Sequence, residues 1–331
     1  MVKQIVEGKD KQARKERRAA LGTLKSLVIK PTTVQRYQKA FAAFLSYLHA
    51  QKLQLASSRA GLDHQLEDYI EHVWQEGEGI SQAGDTISSV QHFQPSCKRH
   101  LPGAWRLFKA WQLRELPARA PPFTLTTLYV LLGYIHQQSP QLALAIYVAF
   151  RCLLRTGELL ALQAKDIVIP PGSSTVILYL GLTKTGQRNP HAGTVSVHDL
   201  TLSRRLQRWK STVPLYTPLV PVSATQFRAT FKNALSATHL DTFKFKPYSL
   251  RRGGATELWL TTSSYSLVAH TGRWSNERTL KVYVQDSIAL LTELTFRPTP
   301  SQTRYKDTWL QHNRAEPTAR CMTRGRGRRS V

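Results

Sequence analysis

A mainly α-helical chain of two domains, carrying one small three-stranded antiparallel sheet, is predicted by three observations. Apolar residues recur every three or four positions along most of the 331 residues, the spacing of one buried helix face. Only between Ile167 and Val197 does this give way to short alternating runs broken by turn residues. A proline-rich segment, LPARAPP at residues 116–122, separates two helical regions, and proline disfavours helix both at itself and just before itself. The length suffices for two domains, each with its own core.

Residues 1–30 hold nine Lys and Arg against three acids and are expected to form a flexible basic arm. Pro31 suits a first helical turn, and Val34, Tyr37, Phe41, Phe44, Leu45 and Leu48 follow at helical spacing. Further helices are predicted over about 62–75, 81–93 and 103–116, making residues 31–115 an all-helical domain with Trp74, Trp105 and Trp111 in its core. The second domain, 123–298, starts with helices at 124–137 and 140–154. Strands follow at 167–169, 175–182 and 194–197, then helices at 199–210, 223–238 with Ser223 as N-cap, and 286–294. Residues 299–331 are read as a basic disordered tail, the last twelve carrying five arginines.

A formal charge of +25 with pI near 10.3 is out of keeping with an ordinary metabolic enzyme and points to a polyanion as partner. Anionic lipid is the other polyanionic surface, but no amphipathic anchor accompanies the charge. The most apolar run, Leu142–Phe150, stops at Arg151, far short of the roughly 20 residues of a spanning helix. No secretory leader is visible, so the expected location is the nucleus in a eukaryote and otherwise the cytoplasm or nucleoid. Cys97, Cys152 and Cys321 are odd in number and widely separated, which argues against a disulfide framework. The histidines show no metal-binding spacing, and no metal or cofactor is expected.

The chemistry concentrates between Tyr248 and Tyr283. Arg251 is suited to a phosphodiester, because a guanidinium fork holds two non-bridging oxygens at once. A tyrosine such as Tyr283 becomes nucleophilic only where cations stabilise its phenolate. Upstream, Arg155 and Glu158 stand three residues apart ahead of an apolar anchor of Leu159, Leu162 and Ile167. Taken alone, that pair reads as a surface ion pair on a helix. Held by the carboxylate, Arg155 is a cation preset for developing charge.

In this order the pieces resemble the tyrosine recombinases, the phage integrase family. Arg155, Glu158, Leu159, Leu162, Asp166 and Ile167 complete the first box, R-x-x-E-L-x-x-L-x-x-x-D-I. Lys184 is similar to the family's β-hairpin lysine, Arg251 to the arginine of H-x-x-R, Trp274 to the His/Trp position, and Tyr283 to the nucleophile. Tyr283 follows Trp274 by nine residues, as the family pattern requires. The histidine of H-x-x-R is replaced by Tyr248. The resemblance covers about residues 120–295 and implies a two-domain recombinase-like architecture whose helical first domain clamps duplex DNA. It implies site-specific recombination or integration through a 3′-phosphotyrosyl intermediate, in a homotetramer on DNA, in the manner of a mobile element. Arg155 and Arg251 would stabilise the phosphorane, Lys184 would protonate the leaving oxygen, and Glu158 and Tyr248 would support them. Three rivals stand beside this: type IB topoisomerase-like relaxation, a catalytically decayed DNA-binding relic, and a basic RNA-binding protein.

Overall fold

The computed structural model describes residues 11–115, 119–170, 175–181, 193–197, 199–276 and 280–313. The chain forms two compact units, one ending at residue 118 and the other starting at Arg119. Residues 116–118 of the expected linker lie outside the described residues.

In the first unit, α1 (Lys11–Leu21) is a helix with no buried residue, where a flexible arm was expected. Its Lys, Arg, Gln and Ala are strong helix formers, and Gln12 bonds Glu16 one turn on at 3.0 Å. Residues 1–10 of the arm lie outside the described residues. The core is built by α2 (Pro31–Ala50), α3 (Arg59–Gln75), α4 (Ile80–Phe93) and α5 (Pro102–Arg114). Phe44, Leu48, Leu66, Ile70, Val73, Ile87 and Trp111 interlock at its centre. Ser58 caps α3 by accepting from the Gly61 N–H at 3.0 Å. Asp63 caps α5, each oxygen 2.9 Å from a backbone N–H, of Gly103 and Ala104, satisfying two of the donors a helix start leaves open. Trp74, expected in the core, is instead 38% exposed. It lies edge-on to buried Trp111, ring centroids 5.1 Å apart, so one face stays wet.

The second unit is organised around α7 (Pro140–Arg151), in which Leu142–Phe150 are all buried. That explains the most apolar run of the sequence. Against it pack α6 (Leu125–Gln138) and, later in the chain, α11 (Pro247–Thr262). A Cβ on Gly253 would collide with the Phe123 carbonyl, and one on Gly254 with that of Phe150. The paired glycines therefore let α11 lie backbone-to-backbone on its neighbours. The short α8 (Thr156–Ala161) leads into a three-stranded antiparallel sheet of order β1 (Ile167–Val168), β2 (Val176–Tyr179) and β3 (Thr194–Val197). Val176, Leu178, Val195 and Val197 turn inward, with Leu178 opposite both Ile167 and Val195, the period-two burial of a one-faced sheet. Then come α9 (Leu200–Ser211), α10 (Ala224–Ala237), α12 (Tyr265–Gly272) and α13 (Asp286–Thr295). Among the described residues no helix is long and apolar enough to cross a membrane, and no group of three or more potential metal ligands occurs.

One sequence expectation is overturned at the C-terminal end. Residues 299–331 were expected to be disordered, yet Pro300–Asn313 forms α14, which packs along α6; residues 314–331 lie outside the described residues. Tyr305 and Trp309, four apart, share one face of it. Trp309 is fully buried, its ring 5.4 Å from that of Tyr147 and 4.6 Å from the Arg205 guanidinium carbon. Buried Gln302 donates to the Thr238 carbonyl at 2.7 Å. Trp309→Ala should therefore cost about 3–5 kcal/mol of unfolding free energy, read by urea denaturation of the full chain; an unchanged midpoint would mean that α14 is not part of this core.

Candidate active site

The Tyr248–Tyr283 stretch folds back on itself. Pro247 opens α11 at a position where its missing N–H costs nothing; Tyr248 stands on the exposed rim, and Arg251 and Arg252 turn inward and are buried. Gly272 ends α12, and Arg273 adopts a left-handed conformation with φ 57°. The chain then returns alongside α11, bringing Trp274 and Tyr283 over Arg251. A Cβ on Gly272 would overlap the Trp274 indole, so only glycine lets that ring lie back on the helix end. The Trp274 and Tyr283 ring centroids are 4.7 Å apart, and the Arg251 guanidinium carbon lies 4.4 Å from the first and 5.7 Å from the second.

Glu158 joins this group from a hundred residues upstream. Arg155 is the N-cap residue of α8, not part of a helix face: its backbone N–H donates to Glu158 Oε2 at 2.8 Å and its Nη1 to Oε1 at 2.6 Å. Arg273 Nη2 donates to Oε2 at 2.7 Å, and Arg251 Nη1 comes within 3.9 Å of it. Helix α7 ends at Arg151 and Leu153 takes a left-handed turn, φ 50°. Its freed carbonyl accepts from Arg251 Nη1 and, at 3.4 Å, from Arg273 Nη2. Arg251 Nη2 donates to the Gly272 carbonyl at 2.6 Å. The Nε–H groups of Arg251, Arg252 and Arg273 are buried without an acceptor among the described residues.

Burial alone would raise the Glu158 pKa, but Arg273 and both groups of Arg155 outweigh it and hold it below the usual carboxyl value. Arg251 is pulled down to about 10 by burial first, then by Arg155 and Arg273, and stays cationic at neutral pH. Three guanidiniums thus crowd one carboxylate, leaving two positive charges uncompensated. The Tyr248 hydroxyl donates to the Tyr283 hydroxyl. Burial, then that bond, push the Tyr248 pKa up, so it remains a protonated donor.

The structure brings together Arg155, Glu158, Tyr248, Arg251, Trp274 and Tyr283; Lys184 lies outside the described residues. Three further contributors had not been singled out as site residues. Arg273 is the third guanidinium. Arg252 donates to the Ala120 carbonyl at 2.6 Å and to that of Val282, and Thr256 Oγ1 accepts from the Gln285 N–H at 3.1 Å; both fasten the tyrosine segment to α11. Arg252 beside Arg251 and Arg273 beside Trp274 were the only signals available. Of the expected cations among the described residues, Arg155 meets solvent, its side chain 31% exposed, whereas Arg251, at 1%, lies beneath Trp274.

No family model and no characterised protein matches by sequence alone. Among solved structures, the chain is similar to a lambda integrase dimer bound to a COC′ core site, with TM-score 0.55 and 19% identity over 83% of this chain and 94% of that one. It is also similar to the integrase of transposon Tn1549 in complex with circular intermediate DNA, with TM-score 0.53 and 13% identity over 83% of this chain and 98% of that one. At these identities the likeness is one of fold: the chain has the fold of these DNA-bound integrases.

Glu158 sets a pH dependence whose sign follows from its lowered pKa. The unfolded chain binds the proton first as pH falls, so the carboxylate contributes stability above its ordinary value of 4.5 and loses it as pH drops toward the folded value. Glu158→Gln should lower stability at neutral pH by about 3 kcal/mol, the cost of unpairing buried guanidiniums, and flatten the loss below pH 4.5. Urea unfolding across that range measures both effects.

Proposed function

We propose that this chain is a DNA strand-transfer enzyme of the tyrosine-recombinase kind, serving recombination or integration. The observation that carries the proposal is the packing of Arg251 and Trp274 against one half-buried tyrosine, Tyr283, whose hydroxyl meets that of Tyr248 at the exposed rim, with Arg155 joined to Arg251 through Glu158. The charge of +25 and the DNA-bound relatives of the fold support duplex DNA as substrate. A homotetramer on DNA is the proposed assembly, in the nucleus of a eukaryote or otherwise the cytoplasm or nucleoid.

In the proposed step the Tyr283 hydroxyl loses its proton to solvent at the exposed rim, and its oxygen attacks a phosphodiester phosphorus. The bond to the 5′-oxygen breaks, the 3′-phosphate stays on tyrosine, and Lys184 gives the departing oxygen its proton. Attack by a 5′-hydroxyl reverses the step. The ester conserves the bond energy, so no metal or nucleotide cofactor is invoked. Arg155 meets the phosphate first, being the more exposed guanidinium. Arg251 engages once Trp274 lifts from Gly272, and the two then hold the non-bridging oxygens while charge grows on them. Tyr248, protonated and donating to Tyr283, supports the phenolate as a hydrogen-bond donor; it is not a base.

A second reading, a DNA-binding relic without activity, is favoured by two observations: Tyr248 in place of histidine and the burial of Arg251 against backbone carbonyls. One experiment separates the two. DNA recovered covalently with the protein after denaturation would define the site, and a nicked suicide duplex carrying it would report adduct formation. Tyr283→Phe should bind this duplex and form no adduct; undiminished adduct overturns the nucleophile, and binding without adduct by the unaltered chain supports the relic. Arg155→Ala and Arg251→Ala should each slow adduct formation by about 10²–10³-fold.

The replacement at position 248 has its own signature. With Tyr248 protonated throughout, that position should give the adduct rate no inflection between about pH 5 and 8, whereas Tyr248→His should introduce one near pH 6.5. A pH–rate profile of both proteins decides it, and an inflection in the unaltered chain that Tyr248→Phe removes would refute the donor role.

A further inference from the structure

We infer that Arg273 is a positioning residue of this site, holding Glu158 and the Trp274 backbone in the arrangement that presents Arg155 to a phosphodiester and keeps Arg251 in place beneath the Trp274 ring; the inference rests on the strand-transfer reading for its catalytic consequence. Arg273 touches neither Tyr283 nor any group proposed to react. Its side chain is 7% exposed and reaches from the end of α12 to Glu158 Oε2 at 2.7 Å, the Leu153 carbonyl at 3.4 Å and the Thr271 carbonyl at 3.2 Å.

Both of its chain neighbours are part of the Arg251 environment. The Gly272 carbonyl accepts from Arg251 Nη2 at 2.6 Å, and the Trp274 ring lies 4.4 Å from the Arg251 guanidinium carbon. Anchoring Arg273 therefore anchors an acceptor and an aromatic cover on either side of it. A left-handed conformation at a non-glycine residue, φ 57°, is unfavourable by itself and is offset here by the ion pair. Glu158 divides its two oxygens, Oε1 for the Arg155 guanidinium and Oε2 for the Arg155 N–H and Arg273. Without Arg273, Oε2 is free to rotate toward Arg251, now 3.9 Å away, and Arg155 loses its fixed partner. Lysine at 273 keeps a charge for Glu158 but lacks the planar fork whose second nitrogen reaches the Thr271 carbonyl.

The test compares the full chain with Arg273→Ala, Arg273→Lys, Glu158→Gln and the Arg273→Ala/Glu158→Gln double variant, on the suicide duplex and by ¹⁹F NMR of 5-fluorotryptophan protein. The Trp274 resonance is assigned by its loss in Trp274→Phe. Arg273→Ala should slow adduct formation at saturating DNA by about tenfold or more with duplex affinity nearly unchanged. Arg273→Lys should recover part of the rate, and the double variant should be no slower than Glu158→Gln, since both act through one carboxylate. Arg273→Ala and Glu158→Gln should shift the Trp274 resonance alike. Additive losses in the double variant, or an unaltered rate in Arg273→Ala, overturn the positioning role. If the unaltered chain makes no adduct, the strand-transfer reading has failed on its own. The clamp is then judged by NMR alone, where an unmoved Trp274 resonance refutes it. If Arg273→Ala does not fold, Arg273→Lys carries the same comparisons.

Discussion

The second unit of this chain brings its arginines and its site tyrosine to one point through a single buried carboxylate. Glu158 accepts from the Arg155 backbone and side chain and from Arg273, which ties the start of α8 to the end of α12 across more than a hundred residues. Such an arrangement is expensive to leave incomplete: a buried guanidinium without its counter-charge is strongly destabilising, whereas a paired and hydrogen-bonded one is tolerated. The fold therefore cannot readily place α12 elsewhere without leaving Arg273 unpaired.

Helix α11 performs the complementary task for the tyrosine. Gly253 and Gly254 bring its backbone onto those of Phe123 and Phe150, and a helix held that close has little freedom to roll. Its other side then carries Tyr248, Arg251, Arg252 and Thr256, which meet in turn the Tyr283 hydroxyl, the Trp274 and Tyr283 rings, the Val282 carbonyl and the Gln285 N–H. Tight packing on one face of α11 thus becomes placement of the Tyr283 segment on the other.

Much of this was legible in the sequence, for identifiable reasons. Helices such as Leu125–Gln138 and Pro140–Arg151 announce themselves because an apolar stripe has no other use, and the strand at Thr194–Val197 because its burial alternates. The convergence of Arg155, Arg251, Trp274 and Tyr283 was suggested by box order and spacing. Helix α14 was not legible, because its mean polarity hides a single large anchor, Trp309. Nor was Arg273: an arginine beside a glycine reads as surface, and only the left-handed turn that points it at Glu158 makes it internal. The burial of Arg251 also could not be read, since it depends on the Leu153 and Gly272 carbonyls, and backbone acceptors leave no trace in composition.

The charge count of the site bears on the proposed chemistry. Arg155, Arg251 and Arg273 against Glu158 leave two positive charges in a low-dielectric setting, and burial first, then repulsion from Arg155 and Arg273, brings Arg251 down to about 10. A phosphodiester brings one negative charge and would leave the cluster still positive. The pentacoordinate state reached when a phenolate attacks carries two, and would leave these four side chains balanced. Interactions that are stronger in the transition state than in the bound substrate are the ones that accelerate a reaction. A cluster with this count meets that condition, and neutralising any one of its guanidiniums would move the balance point back toward the substrate.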